Sequence, residues 1–291
     1  MNRHSKCQFI RLAMILVVFF MPGAVSGVSL NPAKQTIVIR PGKTEMINFE
    51  IVNDANTAKK FIAEIDGFKI DEMTGRPIFG VRDEAISWIT PLQNEITIAP
   101  AAKKIFSFKV SAPEKARTGG HYLALFAKEK SAGSEIGVNS RVGSLLFLYV
   151  EGVIREELSV ASFKARKSYS FSGPVKLDLV LKNNGNIHLV PDGQIIVQDY
   201  FGNNVEKINI NELERKILPG QSWIGEYSLP LARAVGPIKA QADITYGLTN
   251  QKLSGIIEFW RIPGKTISLL VGIILLVPTI YLIRVKIKKN E

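Results

Sequence analysis

Between residues 28 and 261 the apolar side chains recur at every second position, and no stretch of that interval carries an amphipathic helical period. A half-buried strand alternates in this way because successive side chains point to opposite faces of the sheet. Seven such runs, bounded by turn residues, lie between 27 and 152: TIVIR (36–40), EMINFEIV (45–52), FIAEIDGFKI (61–70), EITIA (95–99), KIFSFKV (104–110), YLALFA (122–127) and SLLFLYV (144–150). A second set lies between 153 and 262, comprising ELSVASF, VKLDLVL, QIIVQDYF, VEKINI, WIGEYSL, IKAQADITY and IIEFW. The pattern predicts an all-β fold of two tandem immunoglobulin-like β-sandwich domains, 27–152 and 153–262, with a helical turn only at 211–216.

The two sets share a plan. In the first, a strand runs into Asn53, Pro100 and Pro113 bracket a strand holding Phe106, Phe108 and Val110, and Gly119-Gly120 opens the strand at Tyr122. In the second, a strand runs into Asn184, Pro219-Gly220 and Pro230 bracket Trp223, Tyr227 and Leu229, and Gly236-Pro237 opens the strand at Ile238. Two copies of one module account for this most simply. Between Asn53 and Pro100 the first copy is longer, and the extra length includes 70–88 (IDEMTGRPIFGVRDEAISW).

The chain ends are of another kind. Residues 1–26 read as a secretory signal peptide, with Arg3, Lys6 and Arg11 ahead of a short apolar run and the breakers Pro22-Gly23 before a small-residue cleavage stretch. Residues 267–283 (ISLLVGIILLVPTIYLI) hold no charge and have the length of a transmembrane helix. Arg284, Lys286, Lys288 and Lys289 follow at once and mark 284–291 as a cytoplasmic basic tail. This predicts a single-pass protein of the cell membrane, its N-terminal ectodomain extracellular or periplasmic, with Trp260 and Arg261 at the outer membrane interface.

A formal charge of +11 at first suggests a nucleic-acid partner. The signal accounts for three of those charges and the tail for a net three, leaving five on the rest of the chain, so no nucleic-acid partner is expected. The sole cysteine, Cys7, lies in the expected leader, so the ectodomain has neither thiol nor disulfide.

The runs FKIDEMTGRPIFG, SAPEKARTGGHYLALFA and SRVGSLLFLYVEG, in that order, resemble motifs of the extracellular WxL-interacting protein family of Gram-positive bacteria, as does the order of signal, two domains, membrane helix and basic tail. The resemblance implies immunoglobulin-type folds, a first domain that binds peptidoglycan and a second that engages a partner protein. The family's acidic N-terminal motif is replaced here by VSLNPAK (28–34), and the second domain matches in pattern only.

Catalytic chemistry is not visible. The two histidines beyond the leader, His121 and His188, fall in different domains, so no local Ser/His/Asp unit or zinc site can be assembled. His121 is expected at a surface or strand edge. Asp66, Asp71 and Glu72 lack the order of a calcium loop, and Asp83-Glu84 could serve as acid and base with Asp71 only if the loop folded back. No cofactor and no metal are expected.

Binding remains, and the extra loop is its expected place. Arg76 and Arg82 can pair with carboxylates, and Phe79 and Trp88 offer flat faces to sugar rings or peptide side chains, although Trp88 in the run ISWI also suits the core. The expectation is a membrane-anchored extracellular binding protein, not an enzyme, that engages peptidoglycan or another cell-wall polymer and/or a surface protein partner. The alternative is a periplasmic or surface assembly chaperone of the pilus-accessory type, because such sandwiches also act through strand edges.

Overall fold

Along the strand Val175–Asn183 the residues Val175, Leu177, Leu179, Leu181 and Asn183 are buried while those between them reach toward solvent, which is the alternation of a sheet with one face on a core. The computed structural model describes residues 27–130, 140–231, 234–262 and 264–289; the expected signal peptide, 1–26, lies outside them.

In the first sandwich, β1 (Val28–Asn31), β3 (Thr44–Asn53), β8 (Ala102–Ser111) and β6 (Ile89–Pro91) form one sheet in the order β1-β3-β8-β6. The facing sheet runs β2 (Lys34–Ile39), β10 (Arg141–Val150), β9 (Gly119–Glu129), β4 (Lys59–Ile70) and β5 (Pro77–Val81), with β7 (Glu95–Ile98) also on β4. Phe49, Phe106 and Phe108 pack between the sheets with ring centroids 5.2–5.7 Å apart. In the second, β11 (Leu158–Ala165), β13 (Val175–Asn183) and β16 (Ser222–Leu229) face β12 (Tyr169–Ser170), β18 (Gln251–Arg261), β17 (Gly236–Tyr246), β14 (Asp192–Gln198) and β15 (Asn204–Ile210). The fold is therefore two tandem immunoglobulin-like sandwiches, each with its own core.

The repeat extends to atomic detail, with one shift in register. Asn53 is wholly buried, its amide donating to the carbonyls of Thr57, Ile98 and Ala99 at 2.8–3.1 Å and its carbonyl accepting from Ala55 N. Its counterpart is Asn183, not Asn184: Asn183 is equally buried, donates to Ile187 and Ile217 carbonyls at 2.8 Å and accepts from Gly185 N. Asn184 points away from the core and bonds Ser159. In each sandwich one asparagine thus satisfies the backbone where a strand leaves its sheet.

Three further expectations differ from the structure. Residues 84–88 form a short 3-10 turn capped by Asp83 rather than the start of an alternating strand. The segment 211–216 is an irregular turn held by Asn211, whose amide donates to Pro191 and Arg215 carbonyls. Arg261 does not reach for a membrane interface: it is buried, donating to Leu231 O and Ser170 Oγ, while Trp260 is half exposed.

After the second sandwich comes α1 (Gly264–Lys289), with Pro278 inside it. Its segment Ile267–Arg284 is long and apolar enough to cross a membrane, and none of it is buried against the sandwiches.

Candidate functional site: the junction between the sandwiches

The extra segment of the first sandwich becomes the hairpin of β4 and β5 followed by the 3-10 turn. Gly67 lets β5 approach, since a Cβ there would sit 2.2 Å from Val81 O. The hairpin tip leans on the second sandwich while Met73 stays about half exposed. Gln221 of the second sandwich clamps Ile70, donating to its carbonyl and accepting from its N–H at 3.0 Å each, and Ile224 N donates to Glu72 O. Arg215 donates to Met73 O.

The four residues singled out as ligand contacts are thereby separated. Trp88 lies in the core at 7% exposure, its ring 4.8 Å from the wholly buried His121. His121, expected at an edge, instead bridges Asp83 Oδ1 at 2.8 Å and the Arg117 carbonyl at 3.0 Å. Burial pushes the Asp83 carboxyl up, but the His121 and Ala85 hydrogen bonds together hold it below its ordinary value. Phe79 stacks edge-on over Phe126 at 4.9 Å and is roofed by the Arg141 guanidinium. Arg76 and Arg82 are exposed on either side of β5. The structure does not bring these four onto one surface.

A different group of residues does converge. The outer face of the β2-β10-β9-β4-β5 sheet is apolar, with Phe68, Tyr122, Phe126 and Phe147 buried there beneath Leu218 of the second sandwich. Asn186 locks the approach: its amide donates to Val153 O, its side-chain carbonyl accepts from Arg155 N, and its backbone carbonyl accepts from Gly120 N at 2.8 Å. Gly119, at φ +110°, is required, because a Cβ would lie 2.4 Å from Asn186 O.

Beside this lock His188 projects from the second sandwich onto the first. Lys216 Nζ approaches His188 Nε2 at 2.9 Å, and Tyr149 Oη meets Nδ1. An ammonium can only donate, so Nε2 accepts and Nδ1–H donates to the tyrosine. Burial, followed by the charges of Lys216 and Lys34, pushes His188 down to about 4, and the ring is neutral at pH 7. Lys34 on β2 and Lys216 place their ammonium groups 5.4 and 5.7 Å from the Phe147 ring centroid. Among the described residues neither lysine forms an ion pair.

His188 and Tyr149 also line a cleft of about 670 Å³ between the sandwiches. Its other walls are Val38 and Val150 from the first, Ile154 from the connecting segment, and Ile187, Leu189 and Leu248 from the second, so the lining is mainly apolar. Val38 is 57% exposed and Leu248 82%, a concentration of open apolar side chains at one place.

The edge of a sheet runs into this cleft. β2 pairs with β10 in parallel, Lys34 opposite Leu145 through Ile39 opposite Val150, and among the described residues no strand pairs its other side. Leu145 N donates to Ala33 O and Glu151 N to Ile39 O, so in a parallel ladder residues 33, 35, 37 and 39 bond β10. The N–H and C=O groups of Lys34, Thr36 and Val38 therefore point outward, with Val38 at the cleft. The cleft was not legible in the sequence: its walls come from five separated segments, and only the docking of the sandwiches unites them.

No protein-family model matches the chain, and no curated protein matches it. Among solved structures the chain is similar to a chaperone–tip adhesin complex of CFA/I fimbriae biogenesis, at 11% identity and a TM-score of 0.47, over 79% of this chain and 98% of that one. It is similar to the class 5 fimbriae chaperone CfaA, at 11% identity and a TM-score of 0.45, over 79% and 98%. A third is the CsuC–CsuE chaperone–tip adhesion subunit pre-assembly complex from archaic chaperone-usher Csu pili of Acinetobacter baumannii, at 12% identity and a TM-score of 0.38, over 82% and 99%.

Proposed function

We propose that this protein is a membrane-anchored, extracytoplasmic binding protein that captures an extended segment of a partner protein as an added strand on β2, in the manner of an assembly chaperone. The observation that carries this is the unpaired outer edge of β2 running into the apolar cleft at Val38. Unpaired strand edges bind extended chains through main-chain hydrogen bonds, and pockets for alternate side chains add specificity. Here an incoming strand gains the outward groups of Lys34, Thr36 and Val38, and its last apolar side chain enters the cleft.

A leader cleaved near residue 26 delivers the sandwiches across the membrane, α1 holds them there, and the basic tail stays inside. The protein acts by holding its partner and not by catalysis.

The test uses the whole protein in lipid nanodiscs, screened against a display library of extended peptides and against insoluble peptidoglycan. Thr36→Pro removes an outward N–H and leaves the β2–β10 bonds intact. We expect selected peptides to lose about tenfold or more in affinity in this variant, one main-chain hydrogen bond and its geometry being lost. Peptide binding untouched by Thr36→Pro, or retention of peptidoglycan alone, would overturn the proposal in favour of another surface.

A further inference from the structure

The strand-capture proposal leaves open which extended segments are preferred, and the junction bears on that. Lys34 and Val38 are four residues apart on β2, so both side chains lie on the sheet face toward the second sandwich. The Lys34 end carries two ammonium groups, one from each sandwich, flanking the Phe147 ring. The Val38 end opens into the apolar cleft.

Two like charges held near one buried aromatic ring repel each other, and that of Lys216 is also partly withdrawn from water. Burial and then the Lys34 charge lower the pKa of Lys216. The neighbouring groups do not neutralise the pair: His188 is uncharged at pH 7 and is itself disfavoured as a cation, and Glu214 acts on Lys216 without forming an ion pair with it. The arrangement is complementary to a carboxylate brought in from outside.

We infer that the β2 edge selects extended segments with an acidic side chain four residues from a bulky apolar one, the carboxylate lying between Lys34 and Lys216 and the apolar group entering the cleft beside Val38. This rests on strand capture at β2. An added strand has the same two-residue period, so its side chains opposite Lys34 and Val38 point to the same face. The positive end fixes register, because a shift by one residue turns the acidic group to the opposite face.

The test compares two synthetic peptides of about nine residues, alternating Thr and Val, each with Leu near one end and either Glu or Gln four residues from it, a length that covers β2 with about one residue to spare at each end. Binding to the whole protein in uncharged nanodiscs is read by fluorescence polarisation. We expect the Glu peptide to bind about tenfold tighter than the Gln peptide at low salt, with the ratio shrinking as salt is raised. In the charge-reversed variant Lys34→Glu/Lys216→Glu the preference should turn over, favouring a peptide with Lys in place of Glu, a gain that a misfolded protein cannot show. A Glu/Gln ratio of one, or a preference that survives charge reversal, overturns the inference while leaving strand capture standing. If neither peptide binds, or both bind Thr36→Pro as well as the parent, strand capture fails and this inference with it. Inorganic phosphate added at millimolar concentration should compete with the Glu peptide alone; equal competition against both peptides would place the anion elsewhere and count against the lysine pair.

Discussion

The two sandwiches close the same sheet edge differently. In each, an early strand crosses over to lie parallel to the last strand: β2 on β10 and β12 on β18. β2 runs alongside β10 from Leu145 to Val150, whereas β12 pairs with β18 only at Trp260 and Arg261. The first sandwich therefore presents a long, regular edge with an apolar cleft at its end. The second pairs β18 with β17 on one side but leaves its other edge from Gln251 to Phe259 without a partner strand among the described residues, and the exposed face there carries Lys252, Ser254 and Glu258 around Ile256, charges of the kind with which natural sheets discourage added strands. One module serves as a capture edge in one copy and as a protected support in the other.

The shared frame can be broken first. Trp88→Ala empties a large site in the first core and removes the contact with His121, and should cost about 4 kcal/mol. Denaturant melts should show the first sandwich failing while the second keeps its transition; a loss of both together would mean that the sandwiches unfold as one unit. Asn53→Ala and Asn183→Ala should each cost about 3 kcal/mol, because several buried backbone groups lose their partners at once. Each loss should fall on the transition of its own sandwich, which hydrogen exchange resolved by segment can read.

The junction carries a pH dependence. His188, pushed down to about 4 from 6.5, stays neutral in the folded protein while the unfolded chain takes up a proton first as pH falls. Its contribution is whole above about pH 6.5, declines below that, and is gone once pH passes through about 4. The total is on the order of 3 kcal/mol. Thermal melts between pH 7 and 4 should show this slope in the parent protein and a shallower one in His188→Gln. The smallest effect expected is that of Arg76→Ala/Phe79→Ala on peptide affinity, less than about twofold, since these residues lie on the β5 side of the sheet and not at the β2 edge.

The sequence made the sandwiches legible because their strands announce themselves by alternation and by turn residues. Each of the seven runs of the first set overlaps one of the strands β2, β3, β4, β7, β8, β9 and β10. β1, β5 and β6 escaped notice, β1 and β6 being short and β5 interrupted by Gly80 at φ +82°. The repeat was visible too, although composition alone could not decide between Asn183 and its neighbour Asn184; burial decides it. What lay beyond reach was the docking of one sandwich on the other. That docking turns the extra hairpin from an open loop into a clasp and turns Val38, Tyr149, His188 and Leu248, far apart along the chain, into one cleft. The long apolar face of Phe68, Phe126 and Phe147 was a clue that the sheet is covered on both sides.

The most direct test of strand capture places a photoreactive benzoylphenylalanine at Val38 in one protein and at Lys252 in another, expressed in cells as the full chain. Irradiation should join Val38 to peptides of a protein partner, identified by mass spectrometry. The adducts should vanish when Thr36→Pro is added, and Lys252 should give none of them. Adducts of equal identity and yield from both positions, or Val38 adducts that persist with Thr36→Pro, would contradict capture on β2.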